Sequence, residues 1–414
     1  MLYRQVPKTG DSLSILGFGC MRYPLGPLGR IDEERTIRQI RYAIDHGVNY
    51  FDTAPVYHMG KSEVILGRAL AGGYREKVRI ATKLPHWSVF ERADMDRILN
   101  AQLKTLQTDH IDYYLLHSLG NGSFAKLLHL GVLEFLDAAK KDGRIRNAGF
   151  SFHDTAESFK EIVDSYDWEF CQIQYNYLDE KNQAGTEGLR YASQKGLAVI
   201  VMEPLRGGNL AGMIPGTVRK IWDEVTIRHS PAEWALRWVW NHKEVTVVLS
   251  GMNDEAHIDE NLNTAEIALP DSLTGEEITI IEKVRDEYHR LMKIGCTGCG
   301  YCMPCPAGVD IPGCFASYNA TRLFPEDRYA EKFRYIGRHG GLVGRISYAG
   351  LCRGCGRCVK TCPQHLPVPT MLGVVSHEMD GMMGVIIPLL KGFLWCANRA
   401  GKVRSVLSGE KYQG

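Results

Sequence analysis

Along the first 270 residues, short apolar runs alternate with stretches whose apolar positions recur at helical spacing. Eight runs stand out, at residues 16–19, 50–53, 78–83, 111–117, 145–151, 170–175, 197–203 and 245–251. Each has the length of a buried strand. Between them, Ile37, Ile40 and Ile44 line one helix face behind the acidic opening Asp32-Glu33-Glu34, which suits a helix N-terminus. Leu133, Leu136 and Ala139 repeat the pattern and stop at Gly143. Eight strand-then-helix units predict an α/β fold of the (β/α)8 TIM barrel type rather than an open sheet. Ahead of them, residues 3–6 and 12–16 flank Lys8-Thr9-Gly10 and predict a small hairpin.

Beyond Pro270 the pattern changes. A charged stretch over 272–292 has helical spacing and leads into a cysteine-rich region. The expected organisation is a barrel over 1–270, a linking helix over 271–293, a small and mainly helical ferredoxin-like domain over 294–375, and a helical tail over 376–414. The most apolar part of the tail, 384–395, is interrupted by Pro388 and Lys391. It predicts a packed or interfacial helix, because a membrane span needs about 20 apolar residues. Apolar content is 44 % and formal net charge +1, so no global field draws nucleic acid or a membrane. The opening MLYRQVPKTGD is too polar for a signal peptide. A reducing cytoplasm is the expected location.

Eight of the twelve cysteines form two runs. The first is Cys296, Cys299, Cys302 and Cys305, followed by Pro306; the second is Cys352, Cys355, Cys358 and Cys362, followed by Pro363. The second run has the C-x2-C-x2-C-x3-C-P spacing of bacterial ferredoxins, in which three thiolates hold one [4Fe–4S] cluster and the fourth reaches another. Two such clusters are expected. Zinc fits less well, since it wants two separated pairs. Disulfides fit worse, since neighbours this close cannot bridge without strain. Cys314 competes with Cys305 as a ligand; Pro306 favours Cys305. Cys20, Cys171 and Cys396 read as packing residues, as do Trp222, Trp234, Trp238 and Trp240. Arg334, Arg353, Arg357 and Lys360 read as a solvated face or as a dock for an acidic electron carrier.

In a barrel of this kind chemistry sits where the strands end. Asp52 and Lys83 close the second and third runs, His117 closes the fourth, and Tyr57 follows five residues after Asp52. A buried Lys83 beside Tyr57 would ease loss of the phenolic proton, and Asp52 would keep that lysine charged. His117 could donate a hydrogen bond to a developing alkoxide.

FDTAPVY, ATK and YYLLH, in this order and on these strands, resemble the catalytic set of the aldo/keto reductases. The resemblance runs from about Tyr3 to Asn261. With CTGCGYCMPCPAGVDIP following, the whole chain resembles the reductases that carry a C-terminal ferredoxin-like domain. The resemblance implies an NAD(P)H-dependent oxidoreductase acting on a small aldehyde or ketone. Tyr57 would be the general acid, Lys83 and Asp52 its support, and His117 would orient the carbonyl. Cofactor contacts would come from Gly19, Cys20, Met21, Asp52, Ser151, Gln172, Met202, Glu203, Pro204, Leu205, Gly251, Met252 and His257. Glu260 and Asn261 would open the last barrel helix and contact adenine.

Several positions depart from the family pattern. Met202 stands where an aromatic often stacks on nicotinamide, and Phe152 where an asparagine often grips the carboxamide. Gly251 replaces a phosphate-gripping lysine and His257 an arginine that clamps the 2′-phosphate. Weaker cationic clamping implies relaxed cofactor choice or a preference for NAD, and leaves room for a flavin in the same mouth. A flavin would also join hydride chemistry to one-electron clusters. A ferredoxin or a flavoprotein is the expected partner if the clusters relay electrons.

Overall fold

The computed structural model describes residues 1–212, 214–340 and 345–381. The chain divides into two compact units, Met1–Ile214 with Val218–Asp286, and Glu287 onward with Pro215–Thr217. The apolar stretch 384–395, Cys396 and most of the expected tail lie outside the described residues.

The first unit is a closed barrel. Its hairpin comes first, β1 (Tyr3–Gln5) antiparallel to β2 (Ser12–Ser14). Eight parallel strands follow: β3 (Leu16–Gly19), β4 (Tyr50–Asp52), β5 (Arg79–Pro85), β6 (Ile111–Leu119), β7 (Ile145–Phe152), β8 (Phe170–Gln174), β9 (Ala198–Met202) and β10 (Val245–Ser250). They pair in sequence order, and β10 closes on β3. The eight apolar runs thus become the eight barrel strands. β5 and β6 continue two residues past Lys83 and His117, because Leu84 pairs with Leu116 and Pro85 with His117. Those two side chains therefore stand inside the strand ends, not at the last residue.

The barrel interior is packed, not open. Tyr50, Ala81, Tyr113, Leu115, Phe170, Ala198, Ile200, Val247 and Leu249 form one cluster with Val6 and Leu13 of the hairpin segment. The hairpin thus adds apolar side chains to the interior, and Tyr113 Oη reaches Asp11 at 2.8 Å. Gly17 and Gly149 allow this closure: a Cβ at Gly149 would stand 2.5 Å from the Phe170 ring. Helices cover the outside. Glu33–Asp45 begins at Asp32, whose side chain accepts from the Arg35 amide, and Val132–Lys141 ends before Gly143.

The second unit is helical. Ile311–Leu323, Arg328–His339 and Val368–Val375 supply its longer helices. Val309, Ile311, Phe315, Tyr335, Ala349, Val368, Leu372 and Val375 make a core against which Cys296, Cys302, Cys305, Cys352 and Cys362 pack. The charged stretch before it is the helix Gly275–Leu291. Among the described residues no helix is long and apolar enough to cross a membrane.

Candidate active site and cysteine centre

At the barrel mouth, β4 and β5 bring two opposite charges into contact. Lys83 Nζ lies 2.6 Å from both carboxylate oxygens of Asp52 and 2.9 Å from the Thr53 carbonyl. Lys83 is 1 % exposed and Asp52 3 %. Burial raises the Asp52 carboxyl and lowers the Lys83 ammonium, while each charge opposes the shift in the other. The lysine also lies 5.2 Å from the centre of the Tyr57 ring. Tyr57 begins a short 3-10 turn and meets His117 edge-on, with ring centres 6.1 Å apart. Burial, then Lys83, His153 and His86, hold the His117 imidazole well below its ordinary pKa. It is therefore a neutral ring at pH 7, fit to share a hydrogen bond rather than to carry charge.

A polar network supports this group from behind. Glu63 Oε1 accepts from Thr82 Oγ1 at 2.6 Å and from Gln102 Nε2 at 3.0 Å. Gln102 Nε2 also lies 3.0 Å from the Lys83 carbonyl, and Tyr114 Oη donates to Gln102 Oε1. Trp87, on the turn after β5, stands 5.1 Å from the His117 ring. The sequence pattern did not single out Glu63, Gln102 or Trp87. Trp87 had a signal, its place just beyond a strand end; Glu63 and Gln102, inside amphipathic helices, had none.

The remaining strand ends line the same mouth. Cys20 is buried, its amide bonds to the Asp52 carbonyl, and burial pushes its thiol up to about 12. The thiol therefore stays protonated. Gln172 Nε2 leans on Met202 Sδ at 3.5 Å, whereas its buried Oε1 has no hydrogen-bond partner among the described residues. An orphaned acceptor beside a flexible thioether fits the amide group of a carboxamide-bearing ring. Ser151 Oγ, by contrast, already accepts from the Ser118 amide at 2.7 Å.

Glu203, just past β9, adopts φ 58° and has Oε2 sealed from solvent without a partner among the described residues. Burial is the main cause that pushes its carboxyl up to about 7; Arg22 and Arg206 pull the other way. Arg22 lies over Gly251: a Cβ there would stand 3.2 Å from its side chain. The cation missing at position 251 thus has a neighbour on the β3 side. One expectation needs correction. Glu260 and Asn261 lie in the second turn of the helix Glu255–Ile267, which opens at Asp254 instead. Asn261 is buried and donates to Ser250 Oγ at 3.0 Å, so it ties its helix to β10. Met252 is buried, while Gly251 and His257 are exposed.

In the second unit the cysteine runs fold alike. Gly298 and Gly354 sit at φ 71° and 67°, Gly300 and Gly356 at 80° and 71°. A side chain at these positions would strain the loop. The Gly298 amide points to Cys296 Sγ and the Gly354 amide to Cys352 Sγ, at 3.4 and 3.5 Å. The runs also interleave. Burial, then the neighbouring thiols Cys299, Cys296 and Cys362, push Cys302 up to about 12. Burial, then Cys352, Cys305 and Cys355, raise Cys358. Cys314 is instead fully buried, with its thiol 3.6 Å from the Ser347 carbonyl and 3.8 Å from Tyr335 Oη. Among the described residues no three side chains converge on one ion. A cuboidal cluster spreads its sulfurs and needs no such point.

The closed eight-stranded parallel barrel is of the TIM type, with Asp52, Lys83, Tyr57 and His117 gathered at its mouth. Comparison with known proteins agrees. Residues 15–286 match the aldo/keto reductase family, and residues 295–366 match a 4Fe-4S dicluster domain. The chain belongs to the aldo/keto reductase family and carries a 4Fe-4S domain after its barrel. It is 28 % identical to the NADH-specific methylglyoxal reductase of Escherichia coli over 64 % of this chain and 93 % of that protein. It is 25 % identical to L-galactose dehydrogenase of Arabidopsis thaliana, over 67 % and 92 %. An aldo-keto reductase structure from Bacillus halodurans, in its holo form, superposes with a TM-score of 0.58 at 27 % identity, covering 69 % of this chain and 96 % of that one.

Proposed function

We propose that the barrel reduces a small aldehyde or ketone with NAD(P)H, and that Tyr57 supplies the proton. The observation that carries this reading is the buried Asp52–Lys83 pair set against the Tyr57 ring. A reduced nicotinamide, when bound, supplies the hydride that goes to the carbonyl carbon. The Tyr57 hydroxyl then gives its proton to the carbonyl oxygen, and the product is the alcohol. Lys83 stabilises the phenolate left behind; Asp52 and the Thr53 carbonyl keep its ammonium in place. His117, neutral at pH 7, shares a hydrogen bond with the carbonyl oxygen and so orients it. Gln172 Oε1 would accept from the carboxamide. Arg22, Gly251 and His257 would face the phosphates of the cofactor. Arg22 is the cation beside Gly251, and the absence of a lysine at 251 and of an arginine at 257 favours NADH at least as much as NADPH. Residues 1–270 would form this catalytic domain.

The cysteines support two [4Fe–4S] clusters held across the runs, in a reducing compartment such as the cytoplasm. Cys296, Cys299, Cys302 and Cys362 would hold one; Cys305, Cys352, Cys355 and Cys358 would hold the other. Cys314, turned toward Tyr335, would remain a packing residue. Because a cluster moves one electron, joining it to hydride chemistry would take a flavin, bound in the mouth or carried by a partner flavoprotein. The test of the main reading is anaerobic turnover of methylglyoxal, the compound named for the E. coli relative, with NADH and with NADPH. Tyr57→Phe should lose on the order of a hundredfold or more in kcat. Full turnover by Tyr57→Phe would end the assignment.

A further inference from the structure

The chain as a whole is balanced, with 49 Lys and Arg against 48 Asp and Glu. Its cysteine unit is not. From Lys332 to His377 the sequence holds seven Lys and Arg and no Asp or Glu. Arg334 is paired with Glu331 outside that stretch. Arg353, Arg357 and Lys360 are exposed and form no ion pair among the described residues. These three cations alternate with the cysteines of the second run, where Cys355 is itself exposed. Val359, between them, is 39 % exposed. The first run differs: no charged residue occurs from Cys296 to Val309.

Nothing among the described residues pairs these three cations, although an anionic cluster would offset part of their charge. Like charges left unpaired on one short loop repel each other. They do, however, attract an anionic partner, steer its approach and set its orientation. The place they mark is specific. An exposed ligand cysteine is where the edge of a cluster comes nearest to solvent, and so where an electron can leave or enter. An apolar residue within a ring of cations has the anatomy of a small interface.

We propose that Arg353, Cys355, Arg357 and Lys360, with Val359 among them, form the docking surface for an acidic one-electron carrier protein. The inference rests on the reading that Cys355 is a cluster ligand. In the exchange, the reduced carrier loses one electron and the cluster gains it. No bond forms or breaks and no proton moves. The reverse transfer uses the same surface.

The test uses the full chain, purified anaerobically with its clusters, and an acidic 4Fe-4S ferredoxin as the probe. Iron content and visible absorbance are recorded first. Binding of the oxidised ferredoxin is then titrated at low and at moderate salt. The proposal expects binding that weakens as salt rises. It also expects the triple variant Arg353→Glu, Arg357→Glu, Lys360→Glu to bind about tenfold or more weakly. Cluster absorbance and bleaching by dithionite should match the parent, which shows that the variant is intact. Arg38→Glu, on an exposed barrel helix, should leave binding unchanged. Full cluster absorbance with no ferredoxin binding, or binding indifferent to the triple variant, overturns the proposal. So does tighter binding of anionic vesicles or duplex DNA through the same three residues. A protein without cluster absorbance overturns both the proposal and the reading beneath it, and the iron assay tells the two failures apart.

Discussion

At the barrel mouth the decisive charges, Asp52 and Lys83, are buried and satisfy each other across two contacts of 2.6 Å. Around the second cysteine run the charges are exposed, of one sign and unpaired among the described residues. The first arrangement is complete within the protein. Its carboxylate, ammonium and carbonyl come from adjacent strands. The second is a set of groups waiting for others: thiols that need iron, and cations that need an acidic partner. A preorganised ion pair suits proton and hydride chemistry, where nothing must reorganise as charge develops. An open, one-signed rim suits an encounter that must form and dissolve quickly.

The largest effect should come from removing the metal. Extracting iron under a chelator should collapse the unit after Glu287, because its core packs on cysteines that would lose their common ligand. The barrel transition should survive. Limited proteolysis and thermal unfolding would check this. A single transition, lost as a whole on chelation, would mean that the units do not differ in the way described.

Next comes the ion pair. Lys83→Met leaves Asp52 buried without its partner and should destabilise the barrel by about 3–5 kcal/mol. Adding Asp52→Asn to it should recover much of that loss, while turnover stays low in both. Denaturant titration of the two variants measures the difference. Equal stability of the single and double variants would mean that the pair is not buried as a pair.

The smallest effect concerns Glu203, whose folded-state pKa of about 7 lies above the ordinary 4.5. The folded state holds that proton more tightly than the unfolded chain does. The resulting stabilisation is full below about pH 4.5, declines as pH rises, and is gone above about 7. Glu203→Gln should therefore stabilise the barrel by about 1–3 kcal/mol at pH 8 and hardly at pH 5. Melting temperatures of both proteins at the two pH values give the answer. A gain independent of pH would assign the effect to packing.

Most of the architecture was legible in the sequence because it is written at short range. Short continuous apolar runs and helically spaced stretches reveal strands and helices one at a time, and eight alternations leave little choice of fold. Asp52, Lys83 and His117 stood out because polar residues near the ends of apolar strands have one place to point. The cysteine runs stood out because spacings of two put the sulfurs on one loop. Tertiary structure decided what depends on distant segments meeting. Asn261 turned toward Ser250 because its helix starts at Asp254, earlier than the motif suggested. Arg22 came to lie over Gly251 only because β10 closes on β3. Glu203 acquired its raised pKa from burial that no local pattern announces. Cys362 came beside Cys302, and Cys305 beside Cys358, through a fold that brings the two runs together. Local spacing says which atoms are available; only the packing of remote segments says which of them share a neighbour, because proximity across the chain is what burial and topology create.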